Sequence, residues 1–266
     1  MANVGDMRNT GIELSLNADA IRTKDFDWNI SLNLAHNENE VTRLSNDVFT
    51  MDKILLGDVF IRGGSSSGTH VLEEGRPIGQ FYGLVCNGID ENGRYILVDK
   101  DGDGEISDPA DYDYIGSAQP KLTYGITNSF RYKNFDLSFF LRGTIGNDIL
   151  NATRMAYAQS GFLPGTNALD DPLTYTLSET PRFSNYYLEK GSFMRLDNLT
   201  LGYKIKALNG IRVYFTAQNL FVITKYKGLD PEVPMDSGDG LTPGVEPREF
   251  YPKARTFSCL LYTSDA

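Results

Sequence analysis

The chain is poor in the residues from which catalytic centres and disulfide frameworks are usually built. It has two cysteines, two histidines and one tryptophan among 266 residues. Cys86 and Cys259 lie too far apart in sequence for a metal or redox pair, and two thiols make no framework. His36, His70 and Cys86 could be imagined as a nucleophile constellation, but no strained turn or signature surrounds the thiol. Basic excess is missing too: the net charge is −10, which leaves nothing to recognise nucleic acid. No apolar run approaches the ~18 residues of a membrane helix. The opening MANVGDMRNTG has no charged leader followed by an apolar core, so no signal peptide is read there. Taken alone these absences suit a soluble protein, and they suit equally a polypeptide whose natural start lies upstream.

What the chain does have is alternation of period two, the signature of strands whose side chains point to opposite faces in turn. Ile12, Leu14, Leu16, Ala18 and Ala20 alternate with Glu13, Ser15, Asn17 and Asp19. Trp28, Ile30, Leu32 and Leu34 alternate with Asn29, Ser31, Asn33 and Ala35. The pattern returns at Leu122 to Tyr132, at Leu199 to Ile205 and at Val213 to Ala217. Spans 135–143 and 255–262 fit less cleanly, because Phe139 and Phe140 are adjacent, as are Leu260 and Leu261. Seven spans of roughly nine to fourteen residues match the ~9–11 of a tilted membrane strand better than the ~5–6 of an ordinary one.

The connections alternate strictly. Ile21 to Asp25, Lys133–Asn134 and Ala207 to Gly210 are short, whereas Asn37 to Pro120, Thr144 to Phe193 and Lys225 to Lys253 are long. Short turns on one side and long loops on the other are the plan of an outer-membrane barrel. Segment 37–120 is too long to lack structure inside a compact domain, so it holds structure of its own or an even number of further spans. Glu91-Asn92-Gly93 between two apolar runs signals a hairpin there.

An acidic loop follows that hairpin. Asp99 to Asp113 holds seven acids against Lys100 and so carries six of the ten excess charges. Asp99, Asp101 and Asp103 at alternate positions, with Gly104 next, match the start of an oxygen-ligand calcium loop. Glu105 would offer its backbone carbonyl, and Ser107 stands at the ninth position. Position twelve is Ala110; the bidentate acid is displaced to Asp111 or replaced by Asp108. Calcium bracing a surface loop and a metal-free acidic turn are both open readings. Paired carboxylates for glycoside hydrolysis carry no signal among thirty-five acids. Phe183, Tyr186 and Tyr187 could stack on a ligand, join an interfacial aromatic girdle or pack a loop.

An ordered series of segments carries a family resemblance. It comprises GRPIGQFYG at 75–83, DKDGDGEIS with Tyr114-Ile115-Gly116, and QPKLTYG at 119–125. It continues with EKGSFMRLDN at 189–198, LGY at 201–203, Gln218-Asn219-Leu220 through Tyr226, GLDPE at 228–232 and YPKAR at 251–255. Over about 250 residues the chain resembles the C-terminal part of a SusC/RagA-type TonB-dependent outer-membrane transporter of Bacteroidetes. The resemblance implies an all-β fold, part of a 22-stranded antiparallel transmembrane barrel, here incomplete and without its plug. It implies import of glycans, oligosaccharides or peptides without bond cleavage, and a SusD-like surface lipoprotein as lid. Energy would come from TonB through the missing N-terminal part.

On this reading residues 1–266 form a barrel fragment in outer-membrane lipid, with 37–120 an extended extracellular region containing the hairpin and the acidic loop 99–111. Parity directs the strands down at 11–20, up at 26–36, down at 121–132, up at 135–143, down at 194–206, up at 211–224 and down at 255–262. The family's strands finish on a terminal aromatic, so the ending CLLYTSDA is expected to be a truncation or read artefact. The alternative from another class is a soluble calcium-stabilised β-sandwich for glycan binding or adhesion, with its apolar faces buried against each other.

Overall fold

A computed structural model describes residues 5–44, 51–62, 64–206, 211–233, 240–248 and 251–262. Seven long strands form one antiparallel sheet: β1 (Asp6–Arg22), β2 (Phe26–Arg43), β9 (Leu122–Tyr132), β10 (Phe135–Ile145), β13 (Phe193–Ile205), β14 (Ile211–Thr224) and β15 (Thr256–Tyr262). Each pairs with its neighbour in that order, so β2 joins β9 directly across the long 37–120 excursion. All seven expected spans are present. Turns of a few residues join β1 to β2 and β9 to β10; Lys133 takes a positive φ of 52° in the second. The third expected short turn, Ala207 to Gly210, lies outside the described residues. Cys259 to Tyr262 continue the β15 ladder against Arg212 to Phe215. Thr263 to Ala266, the rest of the ending expected to be an artefact, lie outside the described residues.

Pairing register sorts the side chains of this wall into rows. One face carries Leu16, Leu32, Ile126, Leu141, Leu196 and Phe221 in a row, then Ala18, Ile30, Asn128, Phe139, Leu199 and Ala217, then Trp28, Phe130, Leu137, Leu201 and Phe215. The opposite face carries Asn29, Ser129, Ser138, Thr200, Thr216 and Ser258 in register. Five apolar rows, from Leu34 and Tyr124 to Phe26 and Tyr132, span roughly 27 Å at ~3.4 Å per residue. With strands tilted ~35–45° that is about 19–22 Å of height, against an apolar band of ~25 Å on an outer-membrane barrel. Asn128 is the polar residue within the band, and the Trp28 indole N–H donates to its Oδ1 at 3.0 Å.

Two bulges lie side by side in the wall, and the one on β13 keeps the apolar residues of that strand on one side. Register shifts between Leu196 and Asn198 on β13, and on β14 between Gln218 and Phe221, where Asn219 has a φ of 53°. Without the β13 shift, the even-numbered Met194 and Leu196 and the odd-numbered Leu199 and Leu201 would face opposite ways. On β10 the adjacent phenylalanines divide: Phe139 joins the apolar row, and Phe140 pairs across the polar face with Thr127 and Asn198. Gly125 gives the Phe140 ring room, since a Cβ there would stand 3.1 Å from it.

The long connections fold into a separate cap. β3 (Lys53–Ile61), β4 (Gly64–Glu73), β5 (Gln80–Leu84) and β8 (Tyr112–Ser117) make a four-stranded sheet, and β6 (Cys86–Ile89) with β7 (Tyr95–Leu97) form a hairpin around Asn92-Gly93. From the second long connection come β11 (Asp148–Leu150), β12 (Leu188–Lys190), α1 (Ala152–Tyr157) and α2 (Pro172–Thr176). Phe81, Leu150, Met155, Leu173, Phe183 and Tyr187 meet in a buried core between these pieces. The 240–248 segment joins through a parallel bridge from Val245 to Leu150.

The two parts follow opposite solvent rules. Core residues of the cap are below a tenth exposed, whereas on the wall Ile12 is 75% exposed, Leu14 54%, Leu201 46% and Phe257 57%. Among the described residues no second sheet covers the apolar face, so the sandwich alternative fails on its own requirement.

Candidate functional site

The acidic loop leaves the cap between β7 and β8. Asp99 caps its first turn, with Oδ1 accepting from the Gly102 N–H at 2.6 Å and Oδ2 from Gly104 at 2.8 Å. Gly102 and Gly104 have φ of 77° and 89°, a region that glycine enters without a Cβ penalty. Asp101 and Asp103 repeat the motif, accepting from the N–H groups two residues on. One carboxylate oxygen from each of Asp99, Asp101 and Asp103 lies within 4.8 Å of the others. Three like charges so close repel one another in a manner that only a counter-charge or water relieves.

The remaining expected ligands are occupied differently. Asp111 has no exposed surface; its Oδ1 accepts from Lys100 N–H at 2.6 Å and its Oδ2 from Ser107 N–H at 2.7 Å, so it closes the loop from behind. Those two backbone bonds, Ser107 first, hold its carboxyl below the ordinary carboxylate range. Asp108 pairs with Arg182 at 2.7 Å, and Glu105 contributes its backbone N–H to Asp103. The structure therefore brings three of the six together.

Of the three uses expected for the aromatics the structure shows loop packing: Phe183 and Tyr187 are core residues of the cap, and the partly buried Tyr186 packs against them. Phe183 and Tyr187 are buried, and Tyr187 shares a hydroxyl–hydroxyl bond of 2.5 Å with Tyr95. Burial pushes the Tyr95 hydroxyl up to about 12 and the Tyr187 hydroxyl higher still. His70 and Cys86 are likewise buried, with His70 bonded to Thr69 and the Pro243 carbonyl. Burial raises the Cys86 thiol.

A second polar centre is legible only in three dimensions. The 228–232 strap, GLDPE, lies on the polar face of the wall and is held by charge. Arg142 of β10 grips Glu232 with both nitrogens, at 2.8 and 3.0 Å, and reaches Asp197 at 3.1 Å. Arg195 of β13 is 2% exposed; it meets Asp230 at 2.5 Å and the Asn219 side chain. Lys253 completes the group at 2.6 Å from Glu232. Burial pushes the Glu232 carboxyl up, but its bonds to Arg142 and Lys253 outweigh that and leave it below its ordinary value. Arg142 in the otherwise apolar FFLRG run was the available sequence signal, since a guanidinium there demands a partner. Nothing in spacing named Glu232, ninety residues away.

Comparison with known proteins connects these parts. No family model matches. The chain is 36% identical over 274 residues to TonB-dependent receptor SusC of Bacteroides thetaiotaomicron, a match covering 96% of the chain and 26% of that protein. It is 33% identical over 268 residues to TonB-dependent receptor P3 of Formosa agariphila, covering 86% and 26%. The RagAB peptide transporter superposes with a TM-score of 0.75 at 27% identity over 97% of the chain and 29% of the solved one. The chain belongs to the SusC/RagA-type TonB-dependent receptors. It spans about a quarter of the length of the curated relatives it matches. RagAB has also been solved as a peptide importer in a closed-closed and an open-open state, which match at TM-scores of 0.74 and 0.71. The wall described above is thus a section of a SusC/RagA-type barrel. No helix among the described residues is long and apolar enough to cross a membrane.

Proposed function

We propose that this polypeptide is the C-terminal part of an outer-membrane importer, with its apolar rows against lipid, its polar rows toward the lumen and its cap outside the cell. The observation that carries the reading is the contrast in burial: one chain packs an ordinary core in the cap and leaves its largest apolar face bare on the wall. A monomer in water rarely exposes a contiguous apolar face larger than a few hundred Å². Import fits the names of the relatives, and the cargo proposed is a large nutrient, a glycan, oligosaccharide or peptide. A SusD-like lipoprotein would close the outer side, and TonB would act through parts outside this chain. Protease applied to intact cells is expected to cut within 99–113 or 230–249. Cleavage confined to the turns 21–25, 133–134 and 207–210 would reverse the orientation.

Calcium is proposed as a brace for the acidic loop. Asp99, Asp101 and Asp103 would hold it, since their carboxylates converge and suit a hard cation. Asp111 would keep its place behind the loop, with both oxygens already accepting N–H groups. The ion's contribution would be structural, cancelling the repulsion of the three acids. Micromolar to millimolar calcium should slow proteolysis within 99–113, and Asp101→Ala should abolish that protection. Equal cleavage with calcium or chelator would leave the loop a metal-free turn.

A further inference from the structure

A cavity of about 220 Å³ lies among the start of α1, the turn before α2 and residues 227–229, with Glu246 in its wall. Glu246 has no exposed surface. Its Oε2 is fully engaged, accepting from the Tyr226 hydroxyl at 2.5 Å and from the Leu229 N–H at 3.0 Å. Among the described residues its Oε1 has no hydrogen-bond partner, and neither has the buried hydroxyl of Thr153 in the same wall. Buried polar atoms are almost always partnered, so two orphans lining one cavity point to an occupant that donates hydrogen bonds.

The charges around it select the kind of donor. Asp170, Asp171 and Glu246 line the cavity together with Arg154 and Lys227, three carboxylates against two cations. Arg154 is committed to Asp171, with Nε at 2.9 Å and Nη2 at 3.4 Å. The Lys227 charge also acts on Asp171. The lining is left with one net negative charge, and among the described residues neither Glu246 nor Asp170 forms an ion pair. Gly228 allows the strap to close over Glu246, because a Cβ there would fall 2.2 Å from the Tyr226 hydroxyl and 2.3 Å from Glu246 Oε2.

We propose that this cavity binds a primary ammonium group, with the Glu246 carboxylate and the Thr153 hydroxyl accepting its N–H bonds. An ammonium offers three donors and one positive charge, which answers both orphan acceptors and the excess acid. A water shares about 30 Å³ of liquid, so the volume admits a small alkyl amine or the end of a lysine side chain. The assignment stands independently of import, since it concerns equilibrium binding in the cap.

The test is titration of the protein in detergent with methylammonium chloride at constant ionic strength, read by calorimetry and by tyrosine fluorescence near Tyr226. Saturable binding is expected, weakened at least tenfold in Glu246→Gln and, separately, in Thr153→Val. Thermal melts of both variants establish that they fold; Thr153→Val keeps the test decisive if Glu246→Gln does not. Tetramethylammonium, which has no N–H, and methanol, which has no charge, should not saturate. Equal binding of either, equal competition by potassium, or unchanged affinity in a folded variant would overturn the assignment. No saturation by methylammonium would leave a cavity filled by water only and overturn it too.

Discussion

Asp230 and Arg195 have almost no contact with solvent, 4% and 2% exposed, and Asp230 is the nearer of the two carboxylates that meet Arg195, Glu232 lying 3.5 Å from its Nε. Removing one side of a buried pair strands the other, at about 3–5 kcal/mol. Asp230→Ala is therefore expected to lower the thermal midpoint markedly and free the 228–232 strap to protease. Asp230→Ala combined with Arg195→Leu should recover most of the loss, because an apolar pair of similar volume does without the desolvation. A single variant that melts within about 1 kcal/mol of the parent, the scale of an exposed pair, would mean that water reaches Arg195. The acidic loop obeys a different rule at the same scale. Most of its charges are exposed or half-exposed, whereas Asp111 is buried and its backbone bonds make it the loop's fixed point.

At the scale of the strand, the two faces of β13 predict opposite tolerances. Leu201 lies on the bare apolar face and Thr200 on the polar one. Leu201→Arg should cost about 2–4 kcal/mol and block membrane assembly, whereas Thr200→Arg should leave it largely intact. Heat-modifiable migration in detergent gels distinguishes them, and equal tolerance would remove the lipid from one side of the wall. The strands themselves were legible in the sequence because period two is a local property. Leu14 or Leu32 announces its face within five residues. The bulges were not, since the shift from Met194 and Leu196 to Leu199 and Leu201 reads in sequence as a lapse of pattern. The pairing of β5 with β8 was hidden for another reason: these strands are short, some thirty residues apart, and selected by the shared core around Phe81. The site divided along the same line. Asp99, Asp101 and Asp103 are neighbours in the chain and were visible there, while Arg142, Arg195 and Glu246 acquire their meaning from residues far away.

On the scale of the molecule, β1 and β15 leave the sheet with two open edges, and β1 is seventeen residues long. An edge of that length, flanked by exposed Ile12, Leu14 and Leu16, is a template for pairing with any other strand. This polypeptide expressed alone is expected to pellet or require detergent, and a clean monomer in plain buffer would contradict the wall. The bulges at Asp197 and Asn219 sit side by side on β13 and β14, level with Arg142 and Arg195. A bulge bends its strand and steepens the local twist, so two abreast crease the sheet along one line. The charged strap is held at the level of those two bulges. The guanidinium groups of Arg142 and Arg195 tie the strap to that line, so charge fixes the crease from a direction that strand pairing does not reach.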